Sequence, residues 1–489
     1  GAPKFPESQK LMFLLRMADG NSGSSGRDKS DALTMTDITL RRMWRGGIHD
    51  HLGGGVSRYA IDEHWLVPHF EKLLCEQAML LLAVSKAHEL QSESVFHRLF
   101  AEDIIACLIK YFCDDASYSQ GFRSSVCGDT AGQEKGEGKY YLWSEDEIRR
   151  ILPESDAGLF CAAYGVLPAG NFAQEIGGSQ MGQNILYEAS TVTDLAKRYG
   201  IKGSEVGARL GECRRLMLNA RDHRYPLRTD NKVIMGWNGL MIGALSRASV
   251  VFGVSEWRDI AERTALFVQK NFRTKDGQWH RVWLSGKAYT PALSEDYAYF
   301  LWGVLELYKA VKHFSPDSDK QLSEWIESAQ GIAEAMIAQY WDEKHGGLFL
   351  TGEDKYIFAR MKSCEDANSL PNANAIAAKA LTQLGIILEE KKYSDYSRKI
   401  IDCFAHYARE NTLASLTMIV SDIDWVNVRK KPEPKPEPKP VMTDEELNAP
   451  EPVVSVSEQS APAEKKPSRT PRRTSERAER RRAGRTRTR

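Results

Sequence analysis

No apolar run in the 489 residues approaches the roughly 18–20 that a membrane-spanning helix needs, and no basic start followed by an apolar stretch marks a signal peptide. A soluble segment is expected. Cysteine is sparse: eight residues with no Cys-x-x-Cys and no paired Cys/His spacing argue against a disulfide framework and a structural zinc site. Reduced thiols in a reducing compartment, cytoplasm or mitochondrion, are the expectation. Net charge is also missing, at +0, but the cancellation is between two unlike parts. Residues 465–489 carry 12 Lys/Arg against 2 Asp/Glu, which leaves 54 against 64, or −10, for residues 1–464. The acidic part offers nucleic acid no broad attraction. The Arg-rich end can meet a polyanion by charge alone, and without interleaved aromatics it has no means of reading a base sequence. A starting Met is absent too, and Gly1 falls inside a motif, so an upstream segment with any targeting signal is expected.

What the chain has in quantity is helical periodicity. With 42% hydrophobic residues it can bury one large core or two ordinary ones. From about Ser8 to Arg409, pairs of amphipathic helices alternate with loops rich in Gly, aromatics and charge. Tyr297, Phe300, Leu301, Val304, Leu305 and Tyr308 recur at helical spacing behind Ser294, placed as N-cap, and predict a hairpin with residues 318–340. Further hairpins are predicted over 8–46, over 69–90 with 93–113 (opened by Pro68), over 236–252 with 254–271, and over 374–390 with 392–409. Residues 189–220 supply either a sixth hairpin or an insertion. Small β-hairpins are expected at 279–283 and 348–358, and mobile polar loops at 21–31 and 128–138. KKPEPKPEPKP, from Lys430, is a charged polyproline-type linker followed by too few apolar residues to fold. The predicted organisation is a helical barrel domain at 1–411, a divergent end at 412–429, and a disordered linker and tail at 430–489.

Several stretches are more specific than generic helix. GAPKFP at the start, GGIHDHLGGGVSRYAIDEHWLVPHFEKLL at 46–74, EGKYYLW at 137–143, WNGLMI at 237–242 and EDYAYFLWGVLELY at 295–308 resemble the spermatogenesis-associated protein 20 family, in the family's order. The resemblance runs from Gly1 to roughly Tyr407. It implies an all-α fold, an (α/α)6 toroid similar to the six-hairpin glycosidases and N-acylglucosamine 2-epimerases, preceded in the family by a thioredoxin-like domain. This chain carries neither that domain's strands nor its cysteines, so the redox activity it implies is not expected here. The chain departs from the family at polar positions: Cys127, Gly128, Asp129 and Thr130 stand where it usually reads Asp-Ala-Asp-Ser. Asp230-Asn231-Lys232 replaces Asp-Asp-Lys, and Pro371-Asn372-Ala373-Asn374 replaces Pro-Ser-x-Asn.

The densest cluster of chemistry is 46–72, with His49, Asp50, His51, Arg58, Tyr59, Asp62, His64, Trp65, His69, Glu71 and Lys72. Gly53-Gly54-Gly55 lacks the Lys-Ser/Thr of a nucleotide loop, and His49-x-His51 with His64 and His69 fits no compact ligand set, so neither cofactor nor metal is expected. Arg58 with Asp62 or Glu71 is equally suited to a buried ion pair that holds the loop. A sugar pocket is the functional reading, because a polar funnel lined by aromatics, amides, carboxylates and Arg suits a carbohydrate. Candidate binding residues are Arg58, Tyr59, Trp65, His69, Lys72, Trp237, Asn238, Tyr297, Lys362 and Asn374. Trp143 and Trp302 read as core packing, and Cys75 as a core thiol. Candidate catalytic groups are His49, Asp50, Asp62, Glu71, Glu295, Asp296, His345 and Asp366: paired carboxylates suit a glycosidase, and histidines an epimerase or isomerase. Glu295 or Asp296 can instead stabilise a helix start, and His345 can be a solvent turn. A non-catalytic interaction scaffold with a basic tail is the competing reading, and the oligomeric state is left open.

Overall fold

The computed structural model of the protein describes residues 1–20, 24–113, 121–131, 136–172, 182–275, 277–353, 359–367 and 369–430. Its helices, in chain order, are α1 (Ser8–Ala18), α2 (Gly26–Arg45), α3 (Leu74–Leu90), α4 (Val95–Cys107), α5 (Glu145–Ile151), α6 (Glu154–Ala163), α7 (Val192–Tyr199), α8 (Gly203–Asp222), α9 (Met235–Phe252), α10 (Ser255–Phe272), α11 (Ser294–Phe314), α12 (Asp319–Tyr340), α13 (Ala373–Ile387), α14 (Lys391–Glu410) and α15 (Leu416–Lys430). Very short connections join α3 to α4, α9 to α10, α11 to α12 and α13 to α14, which is too little chain for anything but an antiparallel return. In that order α1, α3, α9, α11, α13 and α15 pack side by side, and α15 packs back on α1, so six inner helices close a ring. The outer helices α2, α4, α10, α12 and α14 lie against the inner pairs, which makes the architecture an all-α (α/α)6 toroid.

Because inner and outer helices alternate, all inner helices run in one direction. Their N-terminal ends therefore share one end of the ring, the mouth, together with the long segments 46–73, 273–293 and 341–372. Composition follows position. The inner helices α9 and α11 are buried on nearly every face, as a helix surrounded by others must be. The outer α14 buries only a stripe through Tyr393, Ser397, Ile400, Ile401, Phe404 and Ala408. Where α9 and α11 cross, the backbones nearly touch: a Cβ on Gly239 would stand 2.6 Å from Phe300 Cα, and one on Gly303 2.2 Å from the Gly239 carbonyl oxygen. Only glycine permits that approach.

Between α4 and α9, helices α5 to α8 form an insertion with its own core of Trp143, Phe160, Leu195 and Met217. Residues 189–220 thus belong to the insertion, and the sixth inner helix is α15, within the stretch expected to be a divergent end. One side chain of the insertion reaches into the barrel. Arg221 of α8 donates to both oxygens of Asp50, at 2.8 and 3.0 Å, and Lys72 donates to Asp50 Oδ2 at 2.8 Å and to the Gly54 carbonyl at 2.7 Å. Backbone N–H groups of Leu52 and Gly53 complete the shell. Burial opposes the charge on Asp50, but Arg221 and Lys72 outweigh it and hold the carboxyl well below its ordinary range. A Cβ on Gly53 would lie 2.2 Å from Arg221 Nη2, so the glycine run makes room for the guanidinium.

Several local expectations change. Pro68 is not a helix start: Pro68–His69 pairs antiparallel with Tyr59–Ala60, and Lys72–Leu73 pairs with Ser125–Thr130, which in turn pairs with Leu227–Asp230, so α3 is delayed to Leu74. Ser294 is the first helical residue, and the N–H that needs a cap is that of Leu293, satisfied by Asp296 Oδ2 at 2.9 Å. Residues 26–31 are helical, capped by Ser25, and 128–130 are strand rather than mobile loop. The hairpin at 279–283 is present as His280–Leu284 with Lys287–Pro291, its turn carried by Ser285 and Gly286 at φ 51° and 82°. Leu348 makes only a single bridge to Trp341, and 354–358 lie outside the described residues, as does the tail beyond Lys430.

Two measurements test this account. Asp50→Ala strands two buried cations and is expected to cost about 3–5 kcal/mol in urea unfolding. Ending the chain at Asn411 removes the closing helix, and is expected to abolish cooperative thermal unfolding of the barrel, not merely lower its midpoint.

Candidate functional site

Carboxylates crowd the mouth because the inner helices present free N–H groups there. Their hydrogen bonds sort them. Asp296, on the first turn of α11, accepts from Gly236 N at 3.1 Å, from Leu293 N at 2.9 Å and from Arg281 at 2.8 Å, tying the starts of α9 and α11 together. Burial nevertheless pushes its carboxyl up to about 6. Asp366 accepts from Asn372 N at 2.9 Å and Thr417 N at 3.0 Å, serving the starts of α13 and α15; burial raises it as well. Asp62 accepts from three backbone N–H groups, of His64, Leu66 and Val67, and organises its own loop. Asp50 is enclosed by the triad described above. These four candidates are thereby committed to architecture, with their oxygens occupied by the chain itself.

Glu295 and Glu71 are differently placed. Glu295 shares Arg281 with Asp296 at 2.6 Å and is partly exposed; Glu71 pairs with Arg58 at 3.2 Å. Near Arg58 lies a further carboxylate, one that the sequence does not single out. Glu76, in the first turn of α3, is 3% exposed. One oxygen accepts from the Ser369 hydroxyl across the ring, and Oε2 has no partner among the described residues. Burial raises its carboxyl to about 8 against the opposing pull of Arg58. Tyr299, which donates to the Pro371 carbonyl, feels Glu295, Asp296, Cys75 and Asp366, so the starts of α3, α11 and α13 converge around it. Burial pushes the Cys75 thiol upward, away from the nucleophilic thiolate.

The other candidates scatter. His49 is buried between the Trp44 carbonyl at 3.0 Å and Asp103 at 2.9 Å, away from Glu295 and beside a cavity of about 20 Å³ that suits roughly one water. His345 is exposed in the Asp342–Gly346 turn, where Lys362 donates to Asp342 and the Gly346 carbonyl, both at 2.7 Å. Asn238 spans Phe122 and Ile234, and Asn374 spans Leu348 and Ser363, so both amides are spent on backbone. Lys72 is fully buried in the triad. Trp65 is buried under Lys4, Tyr297 is buried with its hydroxyl on Gln339, and Trp237 is half-buried with an indole N–H that has no acceptor among the described residues. Tyr59 stacks on His69, whose Nδ1 lies 2.6 Å from Glu137. Arg58, Tyr59, His69 and Glu71 thus form one rim, Arg281 and Glu295 another. A sequence signal for Glu76 exists: it is the lone acid in the run LCEQAMLLLAV.

No family model matches the chain. It is 30% identical over 446 residues to spermatogenesis-associated protein 20 of Rattus norvegicus and over 444 to that of Homo sapiens, in each case 86% of this chain and 54% of the relative. An uncharacterised Caenorhabditis elegans protein is 29% identical over 423 residues, 82% of this chain and 55% of that one. Among solved structures, a GH76 α-mannanase of Bacteroides thetaiotaomicron has a TM-score of 0.45 at 11% identity, covering 88% of each chain. A D-mannose isomerase has a TM-score of 0.35 at 11% identity, covering 78% of this chain and 88% of its own. The chain spans about half the length of the curated relatives it matches, and over most of its own length it is a homologue of spermatogenesis-associated protein 20.

Proposed function

We propose that the mouth of the toroid binds a carbohydrate and performs general acid/base chemistry on it, with Glu76 as the proton donor. The observation that carries this reading is a buried carboxyl raised to about 8, hence protonated at neutral pH, whose Oε2 has no partner among the described residues. A proton held there can pass to a glycosidic or ring oxygen, a demand common to glycoside cleavage and sugar isomerisation. Glu295, steadied by Arg281, is the opposing carboxylate. Arg58, Tyr59, His69 and Glu71 form a polar rim with one stacked aromatic face, suited to sugar hydroxyls. The remaining sequence candidates act, in this reading, by holding that rim in place.

Thermal-shift titration against neutral, amino- and phosphosugars is expected to give a saturable rise in melting temperature that Arg58→Ala abolishes. Glu76→Gln is expected to retain binding while losing turnover, read as reducing ends released or as deuterium gained at the carbon beside a sugar carbonyl. Absence of any shift from folded protein would leave the toroid as a docking scaffold. Stability gives an independent check. Glu76 and Asp296 both have raised values, so the stability of their protonated forms is complete at the pH of an ordinary carboxylate and is lost as pH rises toward about 8 and 6. Relative to the parent, Glu76→Gln should therefore gain about 1.4 kcal/mol per pH unit between about pH 4.5 and 8, in urea unfolding at a series of pH values.

A further inference from the structure

Below the mouth, the axis of the ring is not filled. A cavity of about 60 Å³ is lined by residues from all six inner helices. Its walls are largely apolar, with Met12, Met79, Leu82, Leu240 and Ile376 among them. A dry cavity of that kind is ordinary. This one is not wholly apolar, because Gln9, Arg247, Trp302 and Lys379 line it too. Gln9 is 6% exposed and Trp302 4%, yet Gln9 Nε2, Trp302 Nε1 and Arg247 Nε have no acceptor among the described residues. All three orphaned groups are donors. Buried donors without acceptors each carry a desolvation cost that a ligand oxygen would relieve.

The charges around the cavity point the same way. Asp424 is paired with Arg16 at 2.6 Å, Glu89 with Arg247 at 2.7 Å, and Glu306 with Lys309 at 2.7 Å. Lys379 makes neither a hydrogen bond nor an ion pair among the described residues; its Nζ stands 6.0 Å from the centroid of the Trp302 ring. Burial pulls its ammonium below its ordinary value, the sign of a cation short of compensation, although Asp424 and Glu306 act against that shift. Among the described residues one cation is thus left over, in a cavity that also presents an indole N–H and an amide N–H and whose remaining wall is mostly aliphatic, with the hydroxyls of Thr417 and Ser421. A single surplus positive charge balances a monoanion, and leaves a phosphate dianion half uncompensated.

We propose that the lumen is a binding site for a small monocarboxylate with an apolar body, its carboxylate on Lys379, Trp302 Nε1 and Gln9 Nε2 and its hydrocarbon against Met12, Met79 and Leu240. The site is separate from Glu76 and does not depend on the carbohydrate reading. Isothermal titration of the full chain with sodium propionate, propionamide and inorganic phosphate tests it. Propionate is expected to bind saturably, with propionamide and phosphate at least tenfold weaker. Lys379→Met, similar in volume, should weaken propionate at least tenfold, and Trp302→Phe, which removes only the donor and some ring, a few-fold. Glu76→Gln should leave propionate affinity unchanged, so the two sites fail separately. Equal affinity for propionamide, equal affinity for phosphate, unaltered binding to both lumen variants, or no binding of propionate at all would overturn the assignment. If Lys379→Met does not fold, Trp302→Phe and the propionamide comparison decide alone.

Discussion

Closure of six parallel helices is the constraint from which the rest follows. A ring of hairpins buries its inner helices on every side, so each must be apolar nearly all round, and each must present its free N–H groups at the same rim. That rim then demands acceptors. Asp296 and Asp366 each serve two neighbouring elements at once, which welds adjacent inner helices where their amides would otherwise be unpaired. The mouth is acidic for a structural reason before it is acidic for a chemical one.

Against that background Glu76 is the exception. A carboxylate in a helix's first turn is normally stabilised as the anion by the dipole, by roughly 0.3–1 kcal/mol when exposed. Here burial opposes ionisation more strongly than the dipole and Arg58 favour it, and the carboxyl is held neutral. The same ring geometry generates the lumen. The six inner helices leave an axial gap, and the side chains that line it include donors without an acceptor among the described residues. The two regions are complementary in sign: a proton-holding acid above, and a surplus cation below.

Outside the ring, the 46–73 segment works as mortar. It meets the insertion through Asp50 and Arg221, the α3 start through Lys72, and the rim through Arg58 and Glu71. Its density of charge, which in sequence reads as a catalytic constellation, is largely explained by the number of elements it has to join. Burying an ion triad contributes less to net stability than an apolar core of the same volume, but a half-broken triad is severely unfavourable, so the join is all-or-none.

Periodicity alone determined the helical hairpins, because a buried stripe or an all-apolar helix is written in consecutive residues: α9, α10, α12, α13 and α14 stand within one to three residues of their predicted bounds, and α11 begins at Ser294 but runs on to Phe314, past the Tyr308 that ends its predicted stripe. The motif wording at 46–74, 237–242 and 295–308 likewise carried the toroid. Tertiary structure decided what spacing cannot encode. The delayed start of α3 came from strand pairing with residues distant in sequence, and α15 took the sixth inner place because the ring needed closing. Most of all, it decided which carboxylates are free. Asp50, Asp62, Asp296 and Asp366 looked reactive as a list of acids, and Glu76, inside the predicted helix 69–90, was not among them. Hydrogen-bond partners and burial reverse those roles, and both are properties of three-dimensional neighbours that a linear pattern does not contain.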